Sequence, residues 1–240
     1  NEQSRTNLMA YDITTGELLG WAPTTNAPVY SITPSADGST LYLGGAFTQL
    51  DGVNTYRVGA VSAADGSRQQ LGVATNAAVR AVEVSSDGKT LYFGGGFSQV
   101  NSSSRYRAAA FDLGSRTLKD FAPGVADRSV LAIAAAPDGN GVAIGGSFTS
   151  VNGSTSPGYG MAILENDGTV RANSLTSVVR NAGTYGAIMS LRADSQGLYG
   201  SGYSQSRREG NIEGLFRADW NSGELAYLAD CHGDTYDVQP

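Results

Sequence analysis

Histidine occurs once in this chain of 240 residues, at position 232, and cysteine once, at position 231. One of each cannot make the metal-binding spacings that need several Cys or His ligands, so no metal centre of that kind is expected. Nor do the two suit each other as nucleophile and base, because neighbours on a strand point to opposite faces. Basic residues are few: 16 against 22 acidic ones, with no run longer than Arg207-Arg208. That balance, a net charge of −6, excludes the concentrated positive footprint of a nucleic-acid binder. No apolar run approaches the ~18 residues of a membrane-spanning helix. Sustained apolar spacing at helical period is also missing, so almost no helix is expected. Gly-x-Ser-x-Gly, His-Glu-x-x-His and phosphate-cradling glycine loops do not occur. The sequence therefore assigns no catalytic residue, no metal ligand and no cofactor.

What the chain does have is glycine, 32 residues of it, placed periodically. Gly-Gly-x-Phe followed by Thr or Ser recurs at Gly44–Thr48, Gly94–Ser98 and Gly145–Thr149, with a weaker copy at Gly200-Ser201-Gly202-Tyr203-Ser204. A period near 50 residues marks a propeller or repeat array. Each repeat opens on an apolar run, such as Val29-Tyr30-Ser31-Ile32 or Val79-Arg80-Ala81-Val82-Glu83-Val84. A turn follows at Asp37-Gly38, Asp87-Gly88, Asp138-Gly139 or Gln196-Gly197. Asp-Gly between strand-like runs is a hairpin signal, since Gly accepts positive φ at no steric cost. One carboxylate per turn is too few for a calcium loop. A second strand then runs into the double glycine, and a polar loop leads to a third and a fourth strand.

Four short strands per unit predict an all-β fold, a β-propeller of four-stranded antiparallel blades. The expected organisation is a partial blade at 1–25, full repeats at 26–75, 76–126, 127–183 and 184–231, and the start of a further blade at 232–240. Residues 7–16 align with 57–66, so the first blade begins at its third strand. The chain then reads as part of a longer propeller, with a closed five-blade ring as the alternative. Cys231 is open to two readings, a buried thiol or one half of a disulfide whose partner lies further along.

The loops between second and third strands are rich in Asn, Ser and Tyr, and they emerge on one face with the connections between blades. Binding residues are expected there: Asn54, Tyr56, Asn101, Arg105, Tyr106, Asn152 and His232. The competing reading of the same residues is turn chemistry. Arg57 and Arg107 occupy equivalent third-strand positions, and Asp12, Asp112 and Asp219 recur near the following turn. An ion pair between the two sets is the expectation. Trp21, Leu71 and Phe121 share one repeat position, read as packing.

Leu41-Tyr42-Leu43-Gly44-Gly45-Ala46-Phe47-Thr48 and Asn7-Leu8-Met9-Ala10-Tyr11-Asp12 resemble the repeats of bacterial secreted propeller proteins. These are similar in fold to kelch-type and galactose-oxidase central domains. The resemblance implies an extracellular or cell-surface location, and a non-enzymatic binding or scaffold role toward protein or glycan. Further domains or blades of the same polypeptide are implied as neighbours. It supplies no catalytic residue. The alternative it leaves open is the propeller of an extracellular carbohydrate-active enzyme with acids on the loop face, among them Asp51, Asp127, Glu209, Glu213, Asp230 and Asp234.

Overall fold

The computed structural model describes residues 5–205, 212–230 and 235–239. Among these residues the first repeat comprises β1 (Val29–Pro34), β2 (Thr40–Gly45), β3 (Gln49–Leu50), β4 (Val53–Asn54), β5 (Val58–Ser62) and β6 (Arg68–Gln69). The second comprises β7 (Val79–Val84), β8 (Thr90–Gly95), β9 (Gln99–Val100), β10 (Ser103–Ser104), β11 (Ala108–Asp112) and β12 (Thr117–Leu118). The third has β13 (Val130–Ala135), β14 (Val142–Gly146) and β15 (Met161–Leu164), then a one-turn helix, α1 (Leu175–Val178). The fourth has β16 (Gly186–Asp194), β17 (Gly197–Ser204), β18 (Gly214–Ala218) and β19 (Leu225–Asp230).

The fold is all-β. Antiparallel sheets form in the orders β1-β2-β5-β6, β7-β8-β11-β12, β13-β14-β15 and β16-β17-β18-β19, and β3-β4 and β9-β10 are two-residue hairpins within the loops. The turn glycines expected from sequence, Gly38, Gly88, Gly139 and Gly197, all have positive φ. The third sheet departs from the four-strand expectation: its last strand is reduced to one bridge, Leu164 to Val170. The chain after it is diverted into the insertion that carries α1.

Each sheet packs face to face on the next. Phe93, Phe97 and Phe111 of the second sheet meet Tyr42, Val58 and Ala60 of the first. On its other side the second sheet offers Ala81, Ala108 and Ala110 to Val130, Ile133, Val142 and Ile144 of the third. Ala132, Ala134 and Ala143 of the third meet Ile188, Leu191 and Leu198 of the fourth in the same way. Each interface mixes alanines with larger side chains, such as Tyr42, Tyr92 and Met161, so neighbours interlock. Residues 8–21 lie on the first sheet, with Leu8 and Trp21 buried against Leu43, Phe47, Leu50 and Val61. The Trp21 indole Nε1 donates to the Ser62 carbonyl at 3.0 Å, and Leu71 and Phe121 are buried too, so this repeat position is a packing one.

The double glycine has two separate jobs. The first glycine lies against the next sheet: a Cβ on Gly44 would come 2.8 Å from side-chain carbons of Val79 and Val82. The second lies against its own first strand, where a Cβ on Gly45, Gly95 or Gly146 would strike the carbonyl of Pro28, Ala78 or Ser129. That strand is bulged there. Pairing skips one residue between Val29 and Ser31, Val79 and Ala81, and Val130 and Ala132. The fourth repeat skips one between Ile188 and Ser190, and Ser190 pairs with Ser201, as Ser31 pairs with Gly44. Ser201 therefore holds the first-glycine position there, one residue later than the motif spacing suggests.

The expected ion pairs do not form. Arg57 donates through Nη1 to the Thr75 carbonyl at 2.6 Å, and Arg107 to the Val125 carbonyl at 2.7 Å. Both adopt positive φ, 71° and 68°, which turns the chain into the third strand. Asp12, Asp112 and Asp219 instead cap the turns that follow, accepting backbone N–H groups of Thr14, Ser115 and Ser222 at 2.7 Å each. A carboxylate saturated by nearby N–H donors gains little from a distant guanidinium.

Candidate functional site

The loop residues singled out from sequence are spread over three consecutive sheets. Asn101 accepts from Ala74 N–H at 2.8 Å and donates to the Gly72 carbonyl at 2.9 Å. Asn152 accepts from Gly124 N–H at 2.7 Å and donates to the Gly168 carbonyl at 3.0 Å. Asp51 holds the same place in the first repeat, accepting from Thr24 N–H at 2.8 Å. All three adopt positive φ near 50°, a conformation Asn and Asp tolerate better than most residues. Each thus ties its loop to the segment entering its repeat, through Thr24, Ala74 or Gly124, and Asn152 also reaches Gly168 within its own repeat. Arg105 spans Ser104 and Lys119 carbonyls, at 2.9 Å each.

The aromatic members differ. Tyr56 and Tyr106 are exposed, and each precedes a residue of positive φ, Arg57 or Arg107. Tyr159, ahead of Gly160 with φ 78°, is their third-repeat counterpart; the sequence reading left it out of the binding residues because the loop there is two residues longer. The Arg180 guanidinium lies 5.1 Å from the Tyr159 ring centre. Tyr56 and Asn54 line a cleft of 360 Å³ beside Arg68 and Gln69. His232 lies outside the described residues, as do Cys231, Glu209 and Asp234.

A second set of connections fixes the same face. Asn26 accepts from Thr48 and Gln49 N–H groups at 2.8 and 2.9 Å. Asn76 does the same for Ser98 and Gln99, at 2.9 and 3.1 Å. Asp127 takes the Thr149 hydroxyl. In the fourth repeat the role passes to Asn181, fully buried, which donates to the Tyr203 and Ile212 carbonyls at 2.9 and 2.6 Å and accepts from Ile212 N–H at 2.9 Å.

Convergence occurs elsewhere, at the first strands. The residues skipped by the four bulges are Tyr30, Arg80, Leu131 and Met189. All four line one cleft of 230 Å³, together with Arg192, Tyr236 and Asp237. A bulge re-aims a side chain, and here it does so at the loop-bearing end of four successive sheets. The Arg80 guanidinium stacks over the Tyr30 ring, 4.1 Å from its centre. Ser190 Oγ donates to Asp237 Oδ1 at 2.6 Å, and Arg192 Nη2 stands 4.0 Å from the same oxygen.

Further along the first strands, Glu83 and Arg192 hold equivalent positions in the second and fourth sheets. Burial pushes the Glu83 carboxyl up to about 7, with the Arg192 charge acting against the rise. The sequence carried a signal for this group, a glutamate inside the apolar run Val79–Val84. Two turn carboxylates are shifted the other way. Ser35 and Ser39 bring Asp37 to about 2, and the backbone and hydroxyl of Ser67 do the same for Asp65. Among the described residues no cluster of three or more His, Cys, Asp or Glu could hold a metal ion. No protein-family model and no curated protein matches the chain.

Proposed function

We propose that this chain is a run of β-propeller blades acting as an extracellular binding or scaffold module, with the loop-bearing face as its contact surface. The observation that carries the reading is the convergence of the four bulged residues, Tyr30, Arg80, Leu131 and Met189, on one cleft at that face. An aromatic ring, a guanidinium and two apolar side chains make an amphipathic floor. Such a floor suits a protein side chain or a sugar with an acidic substituent. Tyr56 and Tyr106 extend the surface outward at one repeat position in successive sheets. The stapled loops hold it rigid, which lowers the ordering cost of binding.

The antiparallel sheets, three of them four-stranded, the fit of branched side chains against glycines and the repeat near 50 residues support the propeller reading, with boundaries at 26, 76, 127 and 184. The enzyme alternative gains less support. Two of the six loop carboxylates it would draw on, Asp51 and Asp127, are engaged by Thr24 and Thr149.

The test is a glycan array and a protein-partner pull-down with the whole chain, run beside two variants. Tyr30→Ala/Arg80→Ala removes the centre of the face, and Tyr56→Ser/Tyr106→Ser its periphery. Loss of a captured ligand in the first variant, at unchanged melting temperature, supports the cleft. Ligand capture that survives both substitutions moves the contact surface off this face.

A further inference from the structure

We propose that the cleft beside Tyr56 is a seat for an arginine side chain carried by a partner protein. The inference rests on the reading of the loop-bearing face as the contact surface, and it names the chemistry of one contact there. The cleft has a volume of 360 Å³ and lies wholly within residues 53–74, with Asn54, Tyr56, Arg68, Gln69 and Leu71 among its walls. All of these walls belong to one repeat. What the cleft should hold follows from the second and third repeats, where the chain itself supplies the occupant.

In the second repeat that occupant is Arg105. Its Nη1 donates to the Ser104 carbonyl and its Nη2 to the Lys119 carbonyl, both at 2.9 Å. In the third it is Arg180, which arrives from a different part of the chain. Its Nη2 donates to the Thr155 carbonyl at 3.2 Å, and its guanidinium lies 5.1 Å from the Tyr159 ring centre. Ser104 and Thr155 each stand seven residues after the phenylalanine of the glycine motif, Phe97 or Phe148. Two arginines from unrelated sequence positions thus reach the same carbonyl of the repeat. A planar guanidinium suits the place because its fork can span acceptors on a loop and a strand at once.

The first repeat keeps the acceptors and has no arginine at this position. Asn54 stands seven residues after Phe47. Gln69 corresponds to Lys119, since Val61 pairs with Arg68 as Phe111 pairs with Leu118. Thr55 takes the place of Arg105, and its hydroxyl turns back to the Val53 carbonyl at 3.1 Å. The cleft therefore stands where the Arg105 guanidinium lies in the second repeat. Arg68 is exposed at the rim, and its charge would repel an arginine arriving alone. The partner segment that fits carries an acidic residue next to its arginine, so that a carboxylate faces Arg68 while the guanidinium enters beside the Tyr56 ring. Lysine fits less well, because an ammonium on a flexible stem lacks the fork that spans both carbonyls.

The test is an amide-shift NMR titration of the whole chain with the end-blocked peptide Gly-Glu-Arg-Gly, run beside Gly-Glu-Lys-Gly. The expected result is a saturable response centred on residues 53–59 and 68–74, with the lysine peptide at least about tenfold weaker. Thr55→Arg copies the second repeat, so it should fold with an unchanged melting temperature and lose the response. Tyr30→Ala/Arg80→Ala, which removes the central cleft, should bind the peptide within about twofold of the parent. Failure of that cleft and failure of this seat are thereby read apart. Equal affinity for the two peptides, a response that persists in Thr55→Arg, or no saturable response from the folded chain overturns the proposal. Loss of the response in folded Tyr30→Ala/Arg80→Ala overturns it as well.

Discussion

Gly94 and Val130 meet across the second and third sheets so closely that a Cβ on the glycine would fall 2.5 Å from Val130 Cγ1 and 2.9 Å from its Cβ. The relationship recurs between Gly44 and Val79 and between Gly145 and Ile188. A β-branched side chain on one sheet occupies the hollow left by a glycine on the other, and this pairing sets how closely successive sheets approach.

Gly94→Ala is expected to destabilise the fold by roughly 2–3 kcal/mol, because neither the buried strand nor Val130 can move aside without disturbing the core. Gly96→Ala, two residues on, meets only Ser129 Oγ at 3.3 Å and should stay within about 0.5 kcal/mol of the parent. Denaturant melts of the two variants side by side would check the contrast. Equal effects would mean that the glycines serve chain flexibility rather than fit.

Asn101→Ala removes two hydrogen bonds that tie its loop to Gly72 and Ala74, and should cost about 1–3 kcal/mol. Asn54→Ala, at an exposed position of β4, should leave the melting midpoint unchanged. Urea titrations would separate the two. A larger loss for Asn54 would contradict the assignment of the recurring asparagine as a staple.

These residues show how far the sequence was legible. The Asp-Gly turns and the double glycine were readable because each needs a backbone or a close approach that few residues allow. Asn101 and Asn152 were visible as a pattern, but not in their role, since an amide suits a ligand and a neighbouring backbone equally well. Arg57 was misread because charge suggested a carboxylate partner, whereas an unusual positive φ directs its guanidinium to a carbonyl. The bulges at Tyr30, Arg80, Leu131 and Met189 leave no mark on the apolar pattern of their strands. The cleft they build was therefore not foreseeable.

Stability should fall with rising pH near neutrality, through Glu83. Its folded pKa of about 7 lies above the ordinary 4.5, so the folded state holds a proton that the unfolded state has released. The contribution is complete below about pH 4.5 and is lost as pH rises through 7. Glu83→Gln should therefore stabilise the chain at pH 8, by of order 2 kcal/mol, and make little difference at pH 4.5. Thermal melts across that range test it, and a pH-independent difference would show that the carboxyl stays ionised throughout.

The opposite sign applies to Asp37 and Asp65, whose carboxyls are held at about 2 by serine hydroxyl and backbone donors. Their ionised forms favour the folded turns above the ordinary 3.8, and that support fades as pH falls through 2. Side-chain carboxyl NMR titration should find both still ionised at pH 3. In Ser67→Ala the Asp65 midpoint should rise, because one of the donors holding it is gone.

The seating of branched side chains against glycines also gives the array a direction. The second strand of one sheet offers the glycine and the first strand of the next offers the branched side chain, so a stack of these sheets has a head and a tail, and a further sheet would add head to tail. Such a contact is heterologous: neighbours use different patches, and the rotation per step decides the outcome. One rotation brings the last unit back onto the first and stops addition, whereas any other continues into a fibre. The angle fixed where Gly94 receives Val130 is thus also the quantity that separates a finite particle from an open polymer.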